Sequence, residues 1–276
     1  RDLHLSIRRQ RQMCIRDRSI PDPVLLIDAN GNSATVQHYT DTLTALGRSA
    51  TVWSIANQGL PTLDQLYRTD TLIWLGSDTT GMNDETAQLL SWYVNQGGKL
   101  LLAGQNTTSG IQSTAVLSDA LHAQVLNAAS SSRQISGQGP LAGLQFVLNG
   151  DTSANNQTSP DSLAPAGGAG TLATYTDGNG TNTAAILAYQ SALGRMALLG
   201  FGLEGVDSAA HRSALLDRLL NWLATGETPT TTLSTRPWIS ATNGWGPVEI
   251  DQANGEELAN DGETLTLNGV HYTHGL

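Results

Sequence analysis

A chain of 276 residues is long enough for one sizeable α/β domain and part of another. It is acidic, with a formal net charge of −10, a single lysine (Lys99) and no basic stripe, which argues against a nucleic-acid or anionic-membrane partner. No apolar run approaches the ~18 residues that cross a bilayer, and one cysteine (Cys14) gives neither a disulfide framework nor a cysteine metal site.

The first 18 residues stand apart. "RDLHLSIRRQRQMCIRDR" holds six of the 14 Lys+Arg and the only Cys, with no periodicity of helix or strand. It lacks the apolar core of ~7–15 residues that a signal peptide needs. "RQMCIRDR" resembles a translated sequencing adapter, so residues 1–18 are set aside as an artefact. The rest keeps eight of the 14 basic and 22 of the 24 acidic residues, a net charge of −14.

From residue 23 onward strand and helix signals alternate. "VLLID" (24–28) is a continuous apolar run of the kind a buried parallel strand requires. "NGNS" supplies a turn and a cap. The following helix aligns Val36, Tyr39, Leu43 and Leu46 and stops at Gly47. "ATVWSI" (50–55) and "TLIWLGSD" (71–78) are the next strands, the second entered from the amphipathic "LDQLY". Asn83 or Asp84 caps a helix with Ala87, Leu89, Leu90, Tyr93 and Val94 inward; Gly97-Gly98 ends it and "KLLLAG" (99–104) follows. Such alternation predicts an α/β fold: three layers, a mostly parallel, flavodoxin-like sheet covered on both faces.

The middle of the chain reads as short strands around polar loops, in "AQVLNAA", "LQFVLNG" and "TLATYTDGNGTNTAAILAYQ", where "DGNG" suits a hairpin. "GRMALLGFGLEG" (194–205) is again a central strand. Asp207 or Ser208 then caps a helix striped with Leu215, Leu216, Leu219, Leu220 and Leu223 that ends before Gly226. These elements bound a domain at 19–226. Residues 227–237, rich in Thr and Pro, form a linker, and 238–276 is a Gly/Asn-punctuated β segment.

Open parallel sheets bind ligands beyond the carboxyl ends of their strands. The candidate ligand-binding residues there are Asp28, Asp78, Gln105, Asn106 and Glu204. Three carboxylates on one edge suit a hard cation or acid–base chemistry; alternatively Asp28 and Asp78 cap turns, a common role of Asp after a strand. Thr107 and Ser109 lack an adjacent base, because His38, His122 and His211 fall in helices or their flanks. Trp53, Trp74, Trp92 and Trp222 lie within periodic elements, where core packing is the default. Trp238 and Trp245 lie in the β segment, free to stack on a sugar or to pack inside a sandwich.

Residues 23–224, on the alternation together with "KLLLAGQ" and "ALLGFGLEGV", resemble the class I glutamine amidotransferase-like superfamily. The closer likeness is to its noncatalytic versions fused to secreted bacterial hydrolases and surface proteins. Active members carry a Gly-x-Cys-x-Gly elbow and a later His-x-Glu. Here those positions read Gly104-Gln105-Asn106-Thr107-Thr108 and Gly202-Leu203-Glu204, without the Cys or the His. The resemblance therefore implies a domain that is not an enzyme, has no catalytic residue, and takes no cofactor or metal.

The C-terminal "SATNGWGPVEIDQANGEE…DGETLTLNGVHYTHGL" resembles the start of the NPCBM/NEW2 module, a carbohydrate-binding β-sandwich. The likeness rests on Asn243-Gly244-Trp245-Gly246-Pro247, "DGETLTLNGV" and Tyr272…His274-Gly275-Leu276. About 40 residues, roughly a third of such a module, are present, which leaves open sheet edges. Together the resemblances imply a fragment of a larger extracellular or cell-surface bacterial protein, with a glycoside hydrolase ranked ahead of a peptidase as the catalytic neighbour. Its expected partners are carbohydrate, through the completed module, and neighbouring domains of the same chain. The competing expectation is a hydrolase using Asp28, Asp78 and Glu204, with or without a divalent cation.

Overall fold

A computed structural model describes residues 24–76, 81–127, 130–176 and 182–226, and the strand residues 249–251, 256–258, 264–267 and 270–273. The apolar runs become the middle of a sheet. β1 (Val24–Asp28), β2 (Ala50–Ser54), β3 (Thr71–Leu75), β4 (Lys99–Ala103) and β11 (Arg195–Leu199) lie side by side in the order β2-β1-β3-β4-β11, all parallel. Successive side chains leave opposite faces of a strand, so a strand buried on both sides must be apolar at every position. Leu26, Ile73, Leu75, Leu101 and Leu199 pack on one face, and Leu25, Ile27, Leu72, Leu100, Leu102 and Leu198 on the other.

Helices cover both faces of this parallel part. α1 (Ser33–Ala45) and the long C-terminal helix, α6 (Ala209–Thr225), supply Tyr39, Leu43, Leu215, Leu216, Leu219 and Leu223 to the first core. α4 (Asp84–Asn95) supplies Ala87, Leu90, Tyr93 and Val94 to the second. α2 (Ile55–Gln58), α3 (Leu63–Leu66) and α5 (Thr114–Ala120) are short connecting helices. The caps are local. Asn32 accepts from Ala34 N–H, Asn83 from Thr86 N–H, Ser113 from Val116 N–H and Ser208 from His211 N–H.

Beyond β11 the sheet turns antiparallel, and the expected mostly parallel, flavodoxin-like sheet is corrected. β10 (Ala184–Gln190) pairs antiparallel with β11, β9 (Gly170–Tyr175) with β10, β6 (Gln134–Gly137) with β9, and β7 (Gln145–Val147) with β6. β8 (Ser162–Pro165) bridges to β10 and pairs with β5 (Ala123–Asn127), which completes a mixed sheet of 11 strands. Only Ser191–Gly194 separates β10 from β11, far too few residues for a parallel crossover of a dozen or more. The run "AAILAYQ" conceals this change, because β10 is buried along most of its length despite its antiparallel neighbours.

The tryptophans divide. Trp74 and Trp222 are buried and Trp53 is half-buried, but Trp92 stands 61% exposed on α4. The helix points Leu90, Tyr93 and Val94 inward, which leaves position 92 on the outer face.

The chain divides into two units, Arg1–Thr230 and Thr231–Leu276. In the second, β12 (Glu249–Asp251) pairs with β13 (Glu256–Leu258) and β14 (Thr264–Leu267) with β15 (Val270–Thr273), both antiparallel. Residues 1–18, the linker 227–237, Asp78, Trp238, Trp245 and His274-Gly275-Leu276 lie outside the described residues.

α6 is locked at its carboxyl end. Gly226 adopts the left-handed conformation (φ 73°) and donates to Trp222 O at 2.7 Å. Arg195, at the start of β11, donates to the carbonyls of Leu223, Ala224 and Thr225 at 3.1–3.3 Å. A guanidinium there satisfies carbonyls with no helical partner and sits at the negative end of the helix dipole. Arg195→Ala is expected to lower stability by about 1–2 kcal/mol, read as a lower urea midpoint at unchanged m-value, with Arg195→Lys recovering part of the loss.

Candidate functional site

Four strand ends meet at the carboxyl edge of the parallel half. After β1, the Asp28 carboxylate accepts from the backbone N–H groups of Asn30 and Gly31 at 3.1 and 2.7 Å, which ties down the turn into α1. After β3 and β4, Gly76 and Gly104 lie back to back. A Cβ on Gly76 would come within 1.9 Å of the Thr107 Oγ1, and Gly104 has φ +146°. Glycine at both positions is what allows the Gly104–Thr107 turn to fold against the end of β3. The Thr107 hydroxyl closes that turn by donating to Gly104 O at 2.9 Å.

The next layer comes from a loop that the sequence offers only as polar. Residues 149–161 lie across the ends of β4 and β11. Gln105, 4% exposed, donates through Nε2 to Asn156 O and accepts through Oε1 from Ser159 N–H, both at 2.8 Å. The Glu204 Oε1, on the 3₁₀ turn Leu203–Gly205 that follows β11, accepts from the side-chain amides of Asn156 (3.0 Å) and Gln157 (2.9 Å). Gln157 also accepts from Gly202 N–H at 2.8 Å, and Asn149 and Gln157 exchange side-chain and backbone hydrogen bonds. Tyr39 of α1 accepts from Leu203 N–H at 2.9 Å.

Asp161 completes this layer. Its backbone donates to Gly200 O at 2.6 Å, and its carboxyl accepts from the backbone of Asn106. The side chain is buried, and burial pushes its pKa up to about 7, although the Asn106 N–H favours the charged form. The buried hydroxyl of Tyr175 lies in the field of the same carboxyl, with its own pKa raised by burial first and by Asp161 second.

The structure thus brings Gln105, Asn106 and Glu204 into one amide-rich network and leaves Asp28 in its turn. Asp161, Asn149, Asn156 and Gln157 join the site without having been singled out in the sequence. The available clue was the density of amides in "NGDTSANNQTSPD". His122 and His211 have structural partners. His122 stacks on Tyr189 with ring centroids 3.4 Å apart and its Nδ1 lies 3.0 Å from Gly167 O, while His211 Nδ1 pairs with Asp207 at 2.7 Å. Among the described residues no group of three or more His, Cys, Asp or Glu is placed to hold a metal ion, and no helix is long and apolar enough to cross a membrane. Chemically the edge offers the Asp161 carboxyl, able to exchange a proton near neutrality, and the Glu204 carboxyl, held by amides of the loop that carries Asp161.

Comparisons with known proteins bear on both units. Residues 229–276 match the NPCBM/NEW2 domain. Over 72 residues, 26% of this chain, the sequence is 46% identical to a Renibacterium salmoninarum protein named "Putative endo-alpha-N-acetylgalactosaminidase", and the match covers 5% of that protein. In fold the chain is similar to the β-galactosidase of Bacillus circulans sp. alkalophilus (TM-score 0.53, 14% identity, 78% of this chain and 33% of that one). It is likewise similar to Gan42B, a GH42 β-galactosidase of G. stearothermophilus (TM-score 0.51, 13% identity, 74% and 30%). The chain thus spans about a third of these β-galactosidases and a small part of the curated relative.

These findings give the amidotransferase-like resemblance no support. They also correct the expectation of a chain that is not an enzyme: the fold is shared with glycoside hydrolases, and the relative is named as a glycosidase. The missing Cys and His exclude one acyl-transfer chemistry only. Glycoside hydrolysis runs on paired carboxyl groups and needs no thiolate.

The buried Asp161 sets a pH dependence. Its folded pKa, about 7, lies above the ordinary 3.8, so the folded state holds the proton more tightly than the unfolded chain. The stabilisation is complete below pH 4 and is lost as pH rises through 7. Asp161→Asn keeps the shape and the acceptor and cannot ionise. Its stability relative to the parent is expected to improve by roughly 3–4 kcal/mol between pH 4 and pH 8, measured by chemical denaturation across that range.

Proposed function

We propose that this chain is part of a larger extracellular glycoside hydrolase that engages galactose- or N-acetylgalactosamine-containing glycans. The observation that carries this reading is one chain's order of units. An α/β unit with a fold also present in β-galactosidase chains is followed by residues that match the NPCBM/NEW2 domain. In this reading residues 19–226 are one domain, 227–237 the linker and 238–276 the first part of a carbohydrate-binding β module completed by further strands. Such a module raises the local concentration of glycan at whatever site it is tethered to. The acidic, Gly- and Thr-rich composition and the single lysine suit an extracellular protein that recognises uncharged sugars.

A second reading is favoured by Asp161 and Glu204. A carboxyl with a pKa near neutrality and a second carboxyl held by amides of the same loop are the kinds of group that glycoside hydrolysis uses. It requires the loop 149–161, which carries Asp161 and covers Glu204 with Asn156 and Gln157, to rearrange. In that case Glu204→Gln and Asp161→Asn each abolish hydrolysis of aryl galactosides while retaining the far-ultraviolet circular dichroism of the parent.

The primary reading is tested with a longer chain carrying the complete C-terminal module, run on affinity gels that contain β-galactan or a glycoprotein bearing α-linked N-acetylgalactosamine. Retardation relative to a sugar-free gel, lost on addition of free galactose or N-acetylgalactosamine, is the expected result. Equal mobility on all gels would overturn it.

A further inference from the structure

Trp92 lines a groove of about 280 Å³ between α4 and α5. Gln88 lies one turn before Trp92 on the same face of α4, Ser91 lines the groove from the same helix, and Ala115, Val116 and Asp119 come from α5. Together they make an apolar floor (the indole, Ala115 and Val116) edged by an amide, a hydroxyl and a carboxylate. Asp119 uses Oδ1 to accept from Ser118 at 2.8 Å. Among the described residues, neither the Gln88 side-chain amide nor the Trp92 indole N–H has a hydrogen-bond partner. The indole is 61% exposed, so most of the ring is open to a molecule in the groove, and the Gln88 amide and the indole N–H are free to meet its polar groups.

We infer that this groove binds a galacto-configured pyranose, with one sugar ring stacked on Trp92 and its hydroxyls held by Asp119 and Gln88. The chemistry of both partners supports this. In such a ring the axial O4 leaves the C3, C4 and C5 hydrogens on one face, an apolar patch suited to an indole. The remaining hydroxyls need both donors and acceptors at the rim. A carboxylate supplies acceptors and an amide supplies both. The volume lies at the small end of ligand sites, which suits one or two sugar rings rather than a protein segment. The groove carries a carboxylate and no cation, which disfavours phosphate or sulfate esters. The galacto configuration rests on the proposed reading of the chain as part of a galactose-acting glycosidase; the stacking platform itself does not.

The test is fluorine NMR of the whole 276-residue chain labelled with 5-fluorotryptophan, which gives one resonance for each of the six tryptophans. Loss of a resonance in Trp92→Phe assigns the groove, and Trp238→Phe and Trp245→Phe assign the C-terminal segment. Titration with methyl β-galactoside and methyl N-acetyl-α-galactosaminide is expected to shift the Trp92 resonance saturably, while methyl glucoside leaves it in place. Asp119→Ala and Gln88→Ala are each expected to weaken the interaction about tenfold, the loss of one hydrogen bond to a charged or amide group. A Trp92 resonance unmoved at saturating sugar overturns the inference, as does one that moves with protein concentration and not with sugar, the mark of a second copy in the groove. An equal response to glucoside overturns the galacto assignment. Movement of Trp238 or Trp245 alone overturns the groove while sustaining the carbohydrate reading of the module, so the two failures are distinct.

Discussion

The parallel ladder between β4 and β11 is the contact on which the rest of the α/β unit depends. It pairs Lys99 with Arg195 and Ala103 with Leu199, residues almost a hundred positions apart. The intervening chain holds β5 to β10, every strand of the sheet that pairs only in antiparallel fashion, so closing this ladder fixes where that whole half attaches. Its sequence separation makes it entropically demanding, and two-sided burial of Leu100, Leu101, Leu102, Met196, Ala197 and Leu198 supplies the compensating apolar contact. Arg195 then anchors the end of α6 from the same strand.

The ladder also creates the carboxyl-edge network. Because β4 and β11 run in register, the Gly104–Thr107 turn emerges beside Gly200–Glu204, and Gly104 N–H donates to Phe201 O at 3.0 Å. Two strand ends leave exposed backbone and side-chain groups there, and the loop 149–161 satisfies them with its amides. Buried polar groups in a low-dielectric setting are stabilising when every partner is present and expensive when one is missing. Gln105, Gln157 and Glu204 each hold two or more partners, which makes the loop a fixed part of the domain rather than an appendage. Asp161 is the member whose cost depends on pH, since its burial opposes its charge.

The opposite character appears on the outer side of α4. There the helix presents Trp92 and Gln88 outward, and α5 comes close enough to form a groove with Asp119 without closing over it. One end of the sheet is thus sealed by amides, and one helical flank leaves an aromatic surface with polar edges. Of the two, the open surface can take a ligand without loss of internal hydrogen bonds, whereas the sealed network must first break its own.

The sequence by itself determined the parallel strands, their helices and where the caps fall, since continuous apolar runs, 3.6-residue stripes and capping residues are local signals, while the structure chose Asn32 within "NGNS", Asn83 over Asp84 and Ser208 over Asp207. It also determined the identity of the C-terminal segment, whose motif residues lie close together in the chain. Tertiary structure decided the rest. The hairpin expected at "DGNG" agrees with the antiparallel pairing of β9 and β10, but the switch between β10 and the parallel β11 escaped, because β10 is buried enough to read like a parallel strand and only the short Ser191–Gly194 connection reveals its direction. Asp161 and Gln157 escaped because their importance arises from long-range contacts with Asn106, Gly202 and Glu204. Trp92 escaped because helical periodicity assigns a residue to a helix but does not say which rim of the apolar stripe its neighbours will cover. That depends on where α5 packs, a contact no local pattern encodes.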